Sequence, residues 1–305
     1  MRAVVNTPAG DTRVEVRERP DPSPAADQAV VAVESFSINR GELALLQSRP
    51  DGWQPGQDVA GTVIATAEDG SGPRAGTRVV GVVEQGGWAQ RVAVPTGRLA
   101  ILPDDVDTAH AAALPIAGLT ALRTLALGGA VLGRRVLVTA AAGGVGYLQT
   151  QLAVAAGAEV VAVTRRKALH PALFECGASA VLDHVSDAGG QFDVVLDGVG
   201  GSHLAGAVAK LTPGGTVVLY GASDPQPAQL TLLDFAGHEN ATIKAYFSYA
   251  DTSDDSRDLA ALVRLLHTHQ LTVRLGAHSP WTEINTILDN FAEGRIHGKA
   301  VLDTN

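Results

Sequence analysis

Residues 140–146, Ala140-Ala141-Ala142-Gly143-Gly144-Val145-Gly146, are all small enough to let a main chain come against a bound phosphate. The apolar run Val136-Leu137-Val138 stands before them, and Val145, Leu148, Leu152 and Ala155 follow at three- and four-residue steps, the spacing of one helix face. A glycine turn between a buried strand and a helix N-terminus offers unpaired N–H donors and the positive end of the helix dipole, which is the chemistry of pyrophosphate binding. Ala142, Gly143, Gly144 and Val145 are the residues expected there. The alternative is a tight turn without a ligand. The strand-turn-helix-strand order favours a dinucleotide, because Gly157 is placed to end the helix and Glu159-Val160-Val161-Ala162-Val163 supplies the next strand. That strand runs into Thr164-Arg165-Arg166-Lys167, with no acid where a ribose 2′-hydroxyl would be held. Guanidinium forks suit a 2′-phosphate, so NADPH is the expected cofactor, and Thr164, Arg165 and Arg166 are its expected contacts; solvated surface charge is the alternative for each arginine.

Two further glycine elements, Asp197-Gly198-Val199-Gly200-Gly201 and Tyr220-Gly221-Ala222-Ser223, follow later strand candidates. In a doubly wound sheet both would lie at carboxyl strand ends, on the rim where ligands bind, unless they only turn the chain. Other reactive side chains carry simpler readings. Cys176 is the only cysteine, so a disulfide within the chain and a multi-cysteine zinc site are excluded, and a core role is preferred to a nucleophile. His267 and His269 stand two apart on an expected helix and so face different ways, which argues against a metal pair. Asp58 is read as fixing the loop after Gly56 and Arg40 as a solvated or domain-bridging charge, with substrate contact the alternative for both. Asp251-Thr252-Ser253-Asp254-Asp255 is read as a solvated loop feeding a helix N-terminus.

The elements that must position these residues divide the chain. Its 305 residues suffice for about two domains. Up to about residue 110 it reads as short strands, at Ala3–Val5, Val14–Val16, Ala29–Val33, Gly61–Ala65 and Arg78–Val83, separated by Pro and Gly clusters, with no helical period. From about 113 onward strands and helices alternate, the pattern of a parallel sheet covered by helices. The pattern includes Val194–Leu196, a helix near 202–211, the turn Thr212-Pro213-Gly214-Gly215 and a strand at Thr216–Leu219. Beyond Ala241–Ile243, helices near 255–268 and 282–293 precede a last strand near Lys299–Leu302. Composition is that of a globular protein, 46% hydrophobic and 18% charged, and a net charge of −9 gives no footprint for nucleic acid or an anionic membrane. No apolar run is long enough to cross a bilayer, and the opening residues do not form a secretory signal, so the expected location is cytoplasmic.

The sequence closely resembles the medium-chain dehydrogenase/reductase superfamily, in its zinc-free quinone oxidoreductase branch. The matching stretches are Ser37-Ile38-Asn39-Arg40-Gly41-Glu42, Pro55–Gly61, Gly86-Gly87-Trp88-Ala89, Ala113–Ala121, the glycine loop, Asp193–Asp197 and Gly298-Lys299-Ala300-Val301-Leu302. The resemblance implies a Rossmann doubly wound parallel sheet over 113–267 and a GroES-like β-barrel catalytic domain from 1–112 and 268–305. It further places Asn39 and Thr120 near the nicotinamide, Gly144 and Val145 at the pyrophosphate, and Arg165 and Arg166 at the 2′-phosphate. His184 falls beside the adenosine, Gly198 and Val199 on the cofactor rim, and Gly221, Ala222 and Phe247 along the nicotinamide side. Asn39, Trp53 and Phe247 would border the substrate. Trp53 and Trp88 also have a plain reading as packing aromatics.

Asn39 and Gln57 stand where the superfamily's alcohol dehydrogenases carry zinc ligands, so no metal is expected. Without a Lewis acid, reduction of an activated double bond is the preferred chemistry, and the implied substrate is a small-molecule quinone or α,β-unsaturated carbonyl. The tyrosine that related enone reductases use as proton donor has no counterpart, the first tyrosine being Tyr147, so no catalytic residue is assigned. A dedicated tailoring reductase of a biosynthetic pathway, or an NADPH-binding sensor without turnover, is the alternative. The resemblance implies a homodimer.

Overall fold

Runs of Val and Ala between Gly and Pro clusters pair into sheet wherever one face can be buried. The computed structural model describes residues 1–250 and 252–304. Its first strands are β1 (Arg2–Asn6), β2 (Val14–Glu18), β3 (Gln28–Ile38), β4 (Asp58–Ala65), β5 (Arg78–Val82), β6 (Arg91–Pro95) and β7 (Leu99–Ile101). The eleven-residue β3 organises them: it pairs antiparallel with β4 along one edge and with β6 along the first part of the other. Helix α1 (Arg40–Ser48) lies between β3 and β4, and α2 (Thr108–Ala112) and α3 (Pro115–Gly128) follow β7. Helix α1 corrects the expectation of a segment without helices. It buries only Glu42 and Leu46, too short an apolar stripe to register as a period.

The segment Thr120–Ala250 forms one compact unit. Strands β8 (Arg135–Val138), β9 (Glu159–Val163), β10 (Ala180–Leu182), β11 (Phe192–Asp197), β12 (Leu211–Leu219) and β13 (Thr242–Ala245) alternate with α4 (Gly144–Ala155), α5 (His170–Glu175) and α6 (His203–Val208). All pairings are parallel and the order is β10-β9-β8-β11-β12-β13, so the chain winds one way from β8 and then the other. Leu137, Val161, Phe192, Val195 and Val217 form its core. The expected turn at 212–215 lies inside β12, where the register with β11 slips and Gly214 takes φ +76°. Helix α6 is correspondingly shorter than the 202–211 expected.

Met1–Leu119 and Asp251–Asn305 form the other unit. Its later elements are α7 (Asp255–His267), β14 (Leu275–Pro280), α8 (Ile284–Ala292) and β15 (Lys299–Asp303), and β15 pairs antiparallel with the last residues of β3. A division at 267/268 assigns α7 to the dinucleotide half. In the structure α7 packs on the other unit, where Ser256 Oγ donates to the Leu99 carbonyl at 2.7 Å and Asp255 meets Arg98 at 2.7 Å. Asp255 is buried, which corrects its reading as a solvated charge; Asp251, of the same run, lies outside the described residues. Phe36 stacks on Trp88 at 5.8 Å and meets Trp281 edge-on at 6.4 Å in the middle of this core. Trp88 is thus a packing aromatic, its Nε1 donating to the Ser37 carbonyl at 3.1 Å.

Candidate functional site

The glycine loop lies at the carboxyl end of β8. Ala140 takes φ +50°, a conformation that costs a non-glycine residue about 1 kcal/mol or more and is kept only where the surroundings impose it. The Gly143 N–H turns back to the Ala140 carbonyl at 2.9 Å, and the Ala141 N–H reaches the end of β9 through the Val163 carbonyl at 3.0 Å. Gly143 is the N-cap of α4 and brings no side chain to cap it, so the first-turn N–H groups are left for a ligand. A Cβ on Gly146 would stand 2.6 Å from the Ala140 carbonyl oxygen and 2.7 Å from the Ala141 Cα, so only glycine lets the helix start this close to the loop. An uncapped N-terminus behind a cradle of small residues fits a pyrophosphate.

The neighbouring loops occupy the same edge of the sheet. Asp197, fully buried at the end of β11, accepts from Thr139 Oγ1 at 2.7 Å and from the Val199 and Gly200 N–H groups at 3.0 and 3.2 Å. Thr139 in turn accepts from the Gly198 N–H at 3.0 Å, tying β8 to β11 at the point where the strand order reverses. Gly221 packs its backbone directly on Gly198, and Ala222 beyond it is exposed. Burial, and then the Asp197 charge, push the Tyr220 phenol up, so it stays protonated. Thr120 is buried on α3, where its carbonyl accepts from the Thr124 hydroxyl at 2.6 Å.

At the end of β9, Thr164 is buried and its hydroxyl accepts from the Arg166 N–H at 3.3 Å, while Arg165 is exposed. Sequence reasoning missed Asp183, which follows β10 and stands 3.3 Å from Lys167 and 3.4 Å from His170. An acid is therefore present beside this corner, with the Lys167 ammonium next to it. Its strand is only three residues long, too short a pattern to place it in advance. His184 is exposed, as is Phe247, whose ring lies 5.5 Å from that of Tyr249.

Asn39 and Trp53 belong to the other unit. Trp53 is half-buried against its core, with Nε1 donating to Gln85 at 2.6 Å and Arg49 over its ring at 5.7 Å. Asn39 follows β3 as the N-cap of α1, and around it gathers a buried polar cluster. Asp58 accepts from Ser37 at 2.5 Å, from Asn39 Nδ2 at 2.8 Å and from the Ile116 N–H at 2.9 Å, and pairs with Lys299 at 3.2 Å. Asp58 is thus the hub of this cluster. Glu42 Oε2 accepts the Asn39 N–H at 2.7 Å, and Oε1 is buried without a partner.

Burial, and then the Asp58 charge, raise the Glu42 carboxyl to about 8. The folded chain keeps a proton that the unfolded chain releases above its ordinary value near 4.5, so this group's contribution to stability falls as pH rises from about 4.5 to about 8. Glu42→Gln cannot ionise and is expected to flatten that slope, gaining on the order of 2 kcal/mol over the parent near pH 8 and little near pH 4. Urea unfolding at the two pH values checks this.

His267 and His269 do not both lie on the helix. Helix α7 ends at His267, and His269 takes φ +55° just beyond it, so both line a pocket of about 290 Å³ with Asp105, Asp107 and His110. Among the described residues, no group of three or more His, Cys, Asp or Glu is arranged to hold a metal.

Residues 25–104 match the family model of the alcohol dehydrogenase GroES-like domain, and residues 144–267 that of the zinc-binding dehydrogenase. The chain is 32% identical over 319 residues to a chloroplast envelope quinone oxidoreductase homolog of Arabidopsis thaliana, covering 97% of this chain and 94% of that protein. The chain belongs to the medium-chain dehydrogenase/reductase superfamily, in its quinone oxidoreductase branch. A human synaptic vesicle membrane protein VAT-1 homolog is also 32% identical, over 73% of this chain, and the match spans 62% of that relative's length. In the solved structures, a mycobacterial protein complexed with NADPH superimposes with a TM-score of 0.89 at 24% identity, over 99% of this chain and all of that one, which shows the shared fold.

Proposed function

We propose that this oxidoreductase uses NADPH, without zinc, to reduce the C=C bond of a quinone or an α,β-unsaturated carbonyl compound. The observation that carries the cofactor assignment is the uncapped N-terminus of α4 after β8, next to a β9 that is followed by two arginines, Arg165 and Arg166. In this reading Ala142, Gly143, Gly144 and Val145 hold the pyrophosphate, and Thr164, Arg165 and Arg166 the 2′-phosphate. Thr120, His184, Gly198, Val199, Gly221, Ala222 and Phe247 complete the cofactor contacts. The division of labour gives dinucleotide binding to 113–267 and catalysis to 1–112 with 268–305.

The reduced nicotinamide supplies the hydride. Asn39 orients the acceptor or the nicotinamide, and Trp53 and Phe247 border the substrate. Asn39 and Gln57 are neutral amides, and Asn39 Oδ1, the carboxamide atom that could ligate a metal, already accepts from Lys299, a set that does not suit Zn²⁺. A quinone or electron-poor enone fits a chain with no assigned proton donor, since a hydroquinone anion is stabilised by its own ring and takes its proton from water.

The test is initial-rate oxidation of NADPH and NADH against quinones, enones, enoyl thioesters and aldehydes, with a metal chelator present. Chelator-resistant turnover of a quinone or enone with NADPH is expected, at least tenfold faster than with NADH. Binding of NADPH with no turnover of any acceptor would reject the general reductase and favour a dedicated substrate or a sensor. A homodimer is part of the proposal, supported by β13: it ends the sheet order, and all four of its residues are exposed. Light scattering should give twice the 31.4 kDa of the chain, and Ile243→Lys on that edge should give the monomer mass.

A further inference from the structure

In the buried cluster around it, Asn39 keeps the most exposure. Ser37, Glu42 and Asp58 have no exposed surface, Lys299 has 3% and Asn39 has 9%. Lys299 Nζ lies 2.5 Å from Asn39 Oδ1, 3.2 Å from the Ile38 carbonyl oxygen and 3.2 Å from Asp58 Oδ2, so all three ammonium protons are engaged. An ammonium only donates and a carboxylate only accepts. The Asn39 carboxamide therefore has a single orientation, with Oδ1 on Lys299 and Nδ2 on Asp58 at 2.8 Å. Nδ2 carries two protons, and Asp58 takes one.

We propose that Lys299 is a positioning residue for the reduction: it holds the Asn39 carboxamide so that the second Nδ2 proton donates to the carbonyl oxygen of the acceptor, and it strengthens that donor by drawing electron density onto Oδ1. The proposal rests on the quinone or enone reductase reading above. When hydride adds to the carbon β to the carbonyl, the electron pair of the C=C bond moves toward the carbonyl oxygen and an enolate or hydroquinone anion results. The Asn39 N–H stabilises that oxygen without giving up its proton, and water supplies the proton that completes the product. Lys299 itself cannot be the acid, because none of its protons is free. A donor fixed before the charge develops needs no reorganisation when it does, which is how an oxyanion site lowers a barrier.

Lys299→Met alone leaves Asp58 buried without a counter-charge and can fail to fold. The working variant is the neutral pair Asp58→Asn/Lys299→Met, its fold checked by circular dichroism and its NADPH affinity by fluorescence titration. We expect NADPH affinity within twofold of the parent, kcat/KM for an electron-poor benzoquinone down about tenfold, and kcat/KM for a simple enone down at least 100-fold. The weaker acceptor relies more on the donor. A merely structural defect lowers both acceptors by one factor, and that outcome, like a loss confined to NADPH binding, overturns the proposal.

Parent protein that turns over neither acceptor would refute the reductase reading, and a second measurement then decides the role of Lys299. The side-chain amide of Asn39, assigned by its disappearance in Asn39→Leu, should show two inequivalent protons in a ¹⁵N-labelled NMR spectrum. One should shift on adding cyclohexanone, a ketone with no double bond to reduce. In the neutral pair the shift should shrink; a ketone response unchanged from the parent would overturn the role of Lys299.

Discussion

Replacing Arg165 and Arg166 together by alanine is expected to weaken NADPH binding about 100-fold and to leave NADH binding within about twofold. A hydrogen bond to a charged group contributes roughly 1.5–3 kcal/mol, and the exposure of Arg165 discounts its share, so about 2.7 kcal/mol for the pair is a reasonable sum. NADH has no 2′-phosphate for the guanidinium groups to meet. Asp183 is not expected to reverse that preference, because the Lys167 ammonium stands beside it at 3.3 Å. Fluorescence titration with each cofactor measures both constants. Equal losses for the two would show that the arginines serve the loop rather than the phosphate, and NADPH selectivity would then need another source.

Asp58→Ala should destabilise its unit by about 3–5 kcal/mol, the cost of removing one partner from a buried charge pair. Lys299, 3% exposed, would keep only the Ile38 carbonyl and Asn39 Oδ1 as partners. Much of that loss is the penalty of a stranded ammonium rather than the worth of the pair. The neutral combination Asp58→Asn/Lys299→Met should therefore recover most of it, and chemical unfolding of the single and double variants tests both statements. A fall of less than 1 kcal/mol for Asp58→Ala would mean that Lys299 sheds its proton or finds water, and the ion-pair account would be wrong.

What can be read in advance follows the range over which each feature is encoded. The glycine loop, α4 and the basic end of β9 occupy one unbroken stretch from Thr139 to Arg166, and local period and turn chemistry place them without tertiary information. The family motifs place Asn39 for the same reason. Lys299 is visible only as part of a motif: its partner Asp58 stands 241 residues earlier, and no local pattern announces a pairing at that separation. Helix α7 shows the converse case. Its period is plain, but the side on which it packs depends on Arg98 and Leu99, which lie 157 residues from their partners Asp255 and Ser256. His269 escapes a reading by helical spacing because it lies beyond the end of α7, with a positive φ.

The same separation governs the order in which the molecule can be made. Strand β3 waits for β15, and Asp58 for the ammonium of Lys299, until the whole of Thr120–Ala250 has been synthesised. At ribosomal rates the 241 residues between Asp58 and Lys299 take roughly 10–50 s to emerge. During that time the intervening unit, whose sheet draws only on its own strands, can fold, while the segment before it carries an open strand edge and an uncompensated carboxylate. A ribosome stalled between those two points would leave a nascent chain with a finished dinucleotide fold and an unfinished partner, the form of this protein most exposed to chaperones and to aggregation.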